Sequence, residues 1–515
     1  MTRFPRLGAV VDGDDVTHTV WAPDAKLVEL VTQEGARALT RSGDGTWTVT
    51  LTGAHDDAYR FRIDATRTLP DPMSRAQPEG VLGPSAVVDP TRFVWTDQQW
   101  QGVALADLVL YELHVGTFTD AGTFTATVDR FPELVELGVT AIELMPVATF
   151  PGRFGWGYDG LYTSAPHPAY GGPEDLARLV DRAHALGLGV VLDVVYNHLG
   201  PGADALTAFA PYTDAAHDTF WGPAVAFGRR GVREWAIQNA EQWVRDYHVD
   251  GLRLDAVHAI VDDSQPHIVS ELGDRVRGER DSTLVIAEME TGDLRPIHEW
   301  HCDAQWGDDL HHAVHVLLTG EHDGYYAGYG TVAQVAQEFE GRDATRLVVC
   351  GQNHDQVGNR AFGERLRGRQ LRLAAFCSIL APGVPLLFMG EEYDESHPFL
   401  FFADHIDPEI ARATREGRRR EFASFASFAH AEVPDPGALD TFAQSKLDPA
   451  AGDPGHREYY RHLLELRRAL PAGPVRTVVD EDARFLRVWR GDVQLLANFS
   501  DVEQHGVGPW EGRVR

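Results

Sequence analysis

From Asp107 onwards, short apolar runs of strand length alternate with longer amphipathic segments of helical period. This alternation predicts βα units built around a parallel sheet. Seven runs are clear and one is poorly defined: Leu108–Leu113, Thr140–Met145, Gly189–Val195, Gly251–Asp255, Thr283–Ala287, a run near Ala304, Leu347–Cys350 and Pro385–Met389. Eight such units predict an α/β fold, a (β/α)8 TIM barrel, which occupies ~250 residues and more where its loops are long.

Two smaller β-rich regions flank the predicted barrel. Between Val10 and about Val94, short segments rich in Val, Thr, Trp and Tyr are separated by Gly, Asp and Pro clusters, as is typical of an antiparallel β-sandwich. After Pro471, three further alternating segments predict a small β domain. We therefore expect an immunoglobulin-like sandwich over residues 1–97, a barrel with loop insertions over 98–471 and a short C-terminal β domain over 472–515.

The net charge and the pattern of apolar residues limit which partners the protein can bind and where in the cell it is expected. The chain has 77 acidic and 46 basic residues, a formal net charge of −31, so nucleic acid and anionic lipid would be repelled. The longest apolar run, Leu373–Met389, is interrupted by prolines and a glycine, which predicts a helix, a turn and a strand rather than a membrane span. Three scattered cysteines and the lack of an apolar leader fit a cytoplasmic protein.

Polar residues follow several of the predicted barrel strands. Asp193 to His198, Arg253 to His258, Glu288, and Gln352 to Gln356 all stand where an apolar run ends. Active sites of such barrels lie at the C-terminal ends of the strands, so these side chains should meet at one mouth. Each carboxylate alone could simply cap the next helix. Together with histidines and an arginine, they favour glycoside cleavage, which needs a carboxyl pair.

These residues carry a resemblance to a known family. The strings Asp193–His198, Asp250–His258, Ile286–Glu288 and Asn353–Asp355 resemble the four conserved regions of the α-amylase superfamily, glycoside hydrolase family 13. Longer stretches are similar to one branch of it, the maltooligosyltrehalose trehalohydrolases: Leu110–Thr119, Gly138–Ala148, Gly155–Asp159, Trp306–His312, Gly351–Arg360 and Pro385–Tyr393. The resemblance covers roughly residues 10 to 500.

The resemblance implies an activity and a set of roles. The expected reaction is cleavage of the α-1,4 bond next to the terminal α,α-trehalose of maltooligosyltrehalose. It would follow the reaction of a maltooligosyltrehalose synthase, and no stable complex between the two enzymes is implied. Asp255 is the expected nucleophile, Glu288 the general acid/base and Asp355 the transition-state stabiliser. The expected substrate-binding residues are Tyr158 beneath the sugar ring, Arg253, His198 and His354 around it, Asp308, Asp309, His311 and His312 toward the trehalose end, and His258, Gln356 and Asn359.

Elementary electrostatics supports this division of roles. Retaining cleavage needs one ionised and one protonated carboxyl, placed ~5–5.5 Å apart. Arg253 stands two residues before Asp255 and is expected to keep that carboxylate anionic. Glu288 follows an apolar run, and we expect partial burial to raise its pKa into the range of a working acid.

Other patterns point to no metal and no cofactor. Gly155–Gly160 spells GxGxxG, but bulky aromatic residues fill it and no strand–helix unit frames it. His311 and His315 have helical spacing without the acidic partner of a zinc motif. Asn197 stands where amylases often bind calcium, although companion ligands are not evident, so calcium stays open. Met289, Glu290 and Thr291 replace the Ser and Asp expected after the acid/base.

Two alternatives stay open at this point. A glycogen branching or debranching enzyme would share the sandwich, the barrel and the same three carboxylates, and would differ in the acceptor it uses. A catalytically inactive relative serving as a binding subunit would be expected to lack part of the triad, whereas Asp255, Glu288 and Asp355 are all present.

Overall fold

The computed structural model describes residues 4–290, 292–423 and 433–515. Within them, eight parallel strands close into a barrel: β1 (Leu110–Leu113), β2 (Ala141–Leu144), β3 (Gly189–Val194), β4 (Gly251–Leu254), β5 (Leu284–Ala287), β6 (Ala304–Trp306), β7 (Leu347–Cys350) and β8 (Val384–Phe388). Each strand pairs with the next along the chain, and Leu110 of β1 lies opposite Leu386 of β8. The predicted TIM barrel is confirmed, and the poorly defined run near Ala304 is its sixth strand.

Helices connect the strands. Gly172–Ala185 shows why they form, since its buried residues Leu176, Leu179, Val180 and Ala183 recur at the three- and four-residue spacing of an amphipathic helix. The other long helices are Arg230–Tyr247, Ile268–Glu279, Asp308–Thr319, Val332–Glu340, Gly368–Leu380, Pro408–Ala423 and Pro454–Ala469. The shorter ones are Val115–Phe118, Phe124–Val128, Phe131–Leu137, Asp204–Thr207, Arg295–His298, His354–Gly358 and Leu439–Gln444.

Loop insertions add two small hairpins to the barrel. One pairs Ala148–Thr149 with Tyr162–Pro166, and the other pairs Thr213–Thr219 with Gly222–Val225. The first is inserted between β2 and β3 and the second between β3 and β4. Both insertions therefore leave the barrel from the ends of its strands, which is where a TIM barrel carries its functional loops.

Two antiparallel sheets precede the barrel. One contains Gly8–Asp12, Asp15–Trp21, Thr40–Arg41 and Thr46–Thr52, and the other contains Val28–Thr32, Gly35–Ala38, Ala58–Ile63, Arg67–Leu69 and Ser85–Ala86. Trp21 joins the first sheet to the barrel, because its indole packs on Gly231 so closely that a Cβ there would lie 2.1 Å from the ring. The predicted N-terminal β domain is confirmed, and its boundary at residue 97 stays a prediction.

A four-stranded antiparallel sheet follows the barrel, made of Val475–Asp480, Phe485–Arg490, Val493–Asn498 and Glu511–Val514. The first three strands were predicted. The fourth was missed because Glu511–Val514 has no apolar alternation. Glu481 fixes this sheet to the barrel, since its carboxylate accepts from the backbone N–H groups of Val332 and Ala333, at 3.1 and 2.7 Å, at the start of a helix.

The longest apolar run divides as predicted. Its first part belongs to helix Gly368–Leu380, and its last part is β8. Among the helices that the structure describes, none combines the length and apolar character needed to cross a bilayer.

Candidate active site

Arg253 lies at the centre of the barrel mouth and is fully buried. Its Nη1 donates to both oxygens of Asp193, at 2.9 and 2.8 Å, and to Asp255 Oδ1 at 2.8 Å. Its Nη2 lies 2.8 Å from Glu288 Oε2, and its guanidinium carbon lies 4.2 Å from the centroid of the Trp306 ring. One guanidinium therefore holds together three carboxylates from the ends of β3, β4 and β5.

Barrel register brings these groups to one level. Asp193 of β3 pairs with Arg253 of β4, which in turn pairs with Ile286 of β5. Just beyond β4, Ala256 adopts a left-handed φ of +39°, and its backbone N–H donates to Glu288 Oε2 at 2.7 Å. A left-handed alanine is a strained backbone of the kind that persists at functional sites.

The pKa directions of the two central carboxyls are opposite to those predicted. Burial and the neighbouring Glu288 carboxylate raise the pKa of Asp255 well above its ordinary value. Burial opposes ionisation of Glu288 too, but Arg253 and the Ala256 N–H outweigh it and lower the pKa of Glu288. The sequence places Arg253 two residues from Asp255, yet it does not reveal that the second guanidinium nitrogen reaches the next strand.

His354 and Tyr158 form a second hydrogen-bonded group beside the carboxylates. Tyr158 donates its hydroxyl proton to Asp193 Oδ2 at 2.6 Å, and His354 Nε2 lies 2.8 Å from the same hydroxyl. The two rings are stacked, with centroids 5.2 Å apart. Asp355, next along the chain, lies 3.5 Å from His354 Nε2 and accepts from Asn359 Nδ2 at 3.0 Å.

An aromatic rim lies on the β3–β4 side. Trp221, at the tip of the second hairpin, stacks on His198 with ring centroids 5.4 Å apart, and its ring also faces exposed His258 at 6.4 Å. His198 itself is held by the carbonyl oxygen of Tyr158, 3.0 Å from its Nε2. Burial lowers the pKa of His198 to about 4, so this imidazole is neutral and can act as a hydrogen-bonding group.

Helix Asp308–Thr319 supplies the next set of predicted site residues. Asp308 and Asp309 begin it, and burial together with the negative charges of Glu288 and Asp355 raises the pKa of Asp308 to about 7. Asp309 accepts from the Tyr329 hydroxyl. These two carboxyls therefore face the catalytic side and the flank of the site respectively.

The two predicted site histidines of the same helix, His311 and His312, are buried. Both ring nitrogens of His311 have partners within the protein. Nδ1 lies 2.8 Å from the Gly351 carbonyl oxygen, and Nε2 lies 3.1 Å from the Tyr326 hydroxyl. His312 Nε2 lies 3.4 Å from Gln356 Nε2 and contacts a cluster of tyrosine rings. His311 thus supports its neighbours, while His312 contacts Gln356 and the tyrosine rings.

A cleft of about 920 Å³ opens beside these residues. Asn359 and Trp221 line it, together with Phe220, Glu321, Asp323, Tyr325, Tyr326, Arg360, Ala361, Phe401, Thr414, Gly417, Arg418 and Arg420. Its lining is mostly aromatic and arginine side chains, which suits a polyhydroxylated chain that presents both apolar ring faces and hydroxyl groups.

The histidine pair considered as a metal motif has a structural role. His315, which shares helical spacing with His311, pairs with Glu321 at 3.0 Å. Across the described ranges, no group of three or more His, Cys, Asp or Glu side chains is placed to hold a metal ion. Of the three residues after Glu288, Met289 is buried and Glu290 is exposed, while Thr291 lies outside the described residues.

Three side chains of the site were not among the predicted contacts. Asp193 was seen as a strand end but given no role, although it pairs with Arg253 and Tyr158. Glu112 of β1 accepts from His354, and Trp221 covers His198. A buried charged residue inside an apolar run, as at Glu112 and Asp193, is the signal that could have found two of them.

Comparison with known proteins places the chain among carbohydrate-active enzymes. The family "Alpha amylase, catalytic domain" matches residues 87–222, and "Carbohydrate-binding module 48 (Isoamylase N-terminal domain)" matches residues 6–78. The crystal structure of a Salmonella typhimurium protein, provisionally named an alpha amylase, is 35% identical, covers 99% of both chains and superposes with a TM-score of 0.90.

Curated relatives identify the branch. The malto-oligosyltrehalose trehalohydrolase of a Rhizobium species is 42% identical, covering 94% of this chain and 90% of its own. That of Saccharolobus solfataricus is 40% identical, over 90% and 86%. A branching enzyme from Bordetella bronchiseptica is 30% identical over only 75% and 61%. The chain belongs to the malto-oligosyltrehalose trehalohydrolase family.

Proposed function

We propose that this protein hydrolyses the α-1,4-glucosidic bond next to the terminal α,α-trehalose of maltooligosyltrehalose and releases trehalose. The observation that carries the chemistry is the meeting of Asp255 and Glu288 on one buried arginine, Arg253, at the barrel mouth. Family membership carries the choice of substrate. The reaction is a retaining hydrolysis and needs no cofactor.

Cleavage proceeds in two displacements. In the first, Asp255 attacks the anomeric carbon of the glucan while Glu288 gives its proton to the oxygen that leaves with trehalose. In the second, Glu288 takes a proton from water, and that water replaces Asp255 at the anomeric carbon. Both carboxyls are recovered in their starting states, and the anomeric configuration is retained.

Substrate binding has to place a proton on Glu288 before Glu288 can act as the acid. Burial opposes ionisation of Glu288, but Arg253 and the Ala256 N–H stabilise its carboxylate and lower its pKa. A sugar seated over Asp255 brings its glycosidic oxygen to Glu288, which favours the protonated form of Glu288 as a hydrogen-bond donor. Of the two catalytic carboxyls, only Asp255 is then charged, and Arg253 pairs with it through the Nη1 contact at 2.8 Å while keeping its contacts with Asp193.

The remaining contacts divide between two parts of the substrate. Tyr158, His198 and His354 surround the ring that is attacked, and Asp355 stabilises its transition state. Asp308, Asp309, His312, Gln356 and Asn359 face the trehalose end, with His311 and His258 supporting the walls of the site. The aromatic lining of the 920 Å³ cleft suits the stacking of glucose rings.

In the cell, this reaction consumes the product of a maltooligosyltrehalose synthase. The two enzymes act in sequence in the cytoplasm, and no stable complex between them is implied. Neither nucleic acid nor a membrane takes part, in keeping with the net charge of −31 and its repulsion of polyanions.

Product analysis with two substrates tests the proposal. Purified protein is incubated separately with maltooligosyltrehalose and with maltopentaose, and the sugars released are identified by NMR. Trehalose from the first substrate with little cleavage of the second is the expected result. Chain transfer or rapid cleavage of maltopentaose would instead assign the site to a branching or amylase-like activity.

A further inference from the structure

His354 is anchored from behind by a carboxylate of the first barrel strand. Its Nδ1 lies 2.5 Å from Glu112 Oε1, and its own backbone N–H donates to Glu112 Oε2 at 2.8 Å. Both side chains are buried. Glu112 thus uses its two oxygens on two donors of the same residue, which fixes the position and the tilt of the imidazole.

The second ring nitrogen of His354, Nε2, also lies beside a hydrogen-bond acceptor. Tyr158 carries a single hydroxyl proton, which it donates to Asp193 Oδ2, and both Asp193 oxygens already accept from Arg253. The Tyr158 oxygen is therefore left to accept a hydrogen bond from His354 Nε2, 2.8 Å away. Since a neutral imidazole has only one N–H, donation from both nitrogens requires the imidazolium form.

The charges around His354 agree with this assignment. Burial opposes the cation, but the carboxylates of Glu112 and Asp355 outweigh it and raise the pKa of His354 to about 10. The other charged or titratable groups that face it from the barrel wall and floor are Glu143, Asp193, Arg253, Glu288, Tyr158 and His114. Burial lowers the pKa of His114 to about 4, so His114 adds no competing positive charge.

We propose that Glu112 is a positioning residue that holds His354 as an imidazolium, with its Nε2–H directed at the floor of the sugar site and its charge beside Asp355. The cation favours ionisation of Asp355, which burial would otherwise disfavour. This inference rests on the proposed function only in the role given to Asp355; the charge state of His354 stands on the hydrogen bonds alone.

Glu143 offers a matched control within the same barrel. It lies beside Glu112 in the register of β2 against β1 and is equally buried. Among the described residues, neither of its carboxyl oxygens has a hydrogen-bond partner, and burial raises its pKa well above the ordinary value. Glu143→Gln therefore changes one buried carboxyl near His354 into an amide of the same shape without removing a hydrogen bond from His354.

The test is ¹⁵N NMR of protein labelled at histidine, across pH 5 to 9, with His354→Gln identifying the His354 signals. Wild type and Glu143→Gln should show both ring nitrogens protonated throughout. In Glu112→Gln a neutral amide replaces the charged carboxylate beside Nδ1. The imidazolium loses that stabilising charge, so His354 should be neutral at pH 7. A neutral His354 in the wild-type protein would overturn the inference, as would an unchanged imidazolium in folded Glu112→Gln.

Kinetics give a second readout. Loss of one charge-assisted hydrogen bond should lower kcat of Glu112→Gln by about 10- to 100-fold at pH 7, with a smaller change in KM and with partial recovery toward acid pH as His354 regains its proton. An equal loss at every pH would contradict a role through the charge of His354. If wild type releases no trehalose, the NMR result still decides the inference, so the two failures are distinguishable.

Discussion

The guanidinium of Arg253 lies 2.8 Å from Glu288 Oε2 on the following strand, in addition to its contacts with Asp193 and Asp255. A buried positive charge shared by three carboxylates is far costlier to remove than an exposed one, because its partners are left uncompensated in a low-dielectric site. This relationship ties the stability of the barrel mouth to its chemistry.

Replacing Arg253 should therefore destabilise the protein. We expect Arg253→Ala to lower the free energy of unfolding by about 3–5 kcal/mol, measured by urea denaturation. Arg412→Ala is the control, since Arg412 pairs with Glu409 where the two side chains are 56% and 78% exposed, and such pairs contribute about 0–1 kcal/mol. Equal effects of the two substitutions would contradict the account.

Glu288→Gln should lose activity on the order of 10²- to 10⁴-fold, as expected when a general acid is removed, while its unfolding transition stays close to that of wild type. Asp255→Ala should be similarly inactive, and azide should restore turnover with an inverted glycosyl azide as product. Wild-type rates in either variant would refute the assigned roles.

Asp308 should make stability depend on pH. Its pKa is about 7 in the folded protein against roughly 3.9 in an unfolded chain, so between these values the folded state holds a proton that the unfolded state has released. Stability contributed by this group is then greatest at low pH and falls as the pH rises toward 7.

Asp308→Asn should accordingly be more stable than wild type at pH 8 and about equally stable near pH 4, measured by thermal unfolding at both. Asp12→Asn, at an exposed position in the N-terminal sheet, should change stability little at either pH. A stabilisation by Asp308→Asn that is the same at pH 4 and pH 8 would argue against a buried, titrating carboxyl.

Trp221 should matter for binding rather than for folding. Its ring stacks on His198 and is 44% exposed, whereas neighbouring Phe220 is 94% exposed. Covering apolar surface is worth about 25 cal/mol per Å², so a sugar stacked on the exposed part of this ring gains on the order of 1 kcal/mol. Trp221→Ala should therefore raise KM severalfold with little change in kcat. Phe220→Ala should have a clearly smaller effect in the same assay.

The sequence predicts the barrel well because its strands are buried apolar runs bounded by turns. Seven of the eight were clear, and β6 was weak because it is only three residues long. The final strand, Glu511–Val514, was missed because half of its residues are charged. Such a strand forms through backbone pairing with Val493–Asn498, which a pattern of side chains does not reveal.

The site was predictable where residues end strands, and less so where they lie within them. Asp255, Glu288 and Asp355 stand in motifs that can be read from the chain. Glu112, 242 residues before His354, gains its meaning only when β1 and β7 come together in the barrel. The predicted pKa directions of Asp255 and Glu288 were wrong for the same reason, since they depend on the contact between Arg253 and Glu288 on the neighbouring strand.

The most direct test of the central claim is hydrolysis of maltooligosyltrehalose in water enriched in ¹⁸O. Mass spectrometry locates the label, and NMR recorded at early reaction times identifies the anomer formed first. We predict unlabelled trehalose together with a maltooligosaccharide that carries the label at its new reducing end and appears first as the α anomer. Label in trehalose, a β anomer formed first, or release of glucose or maltose without trehalose would contradict the account.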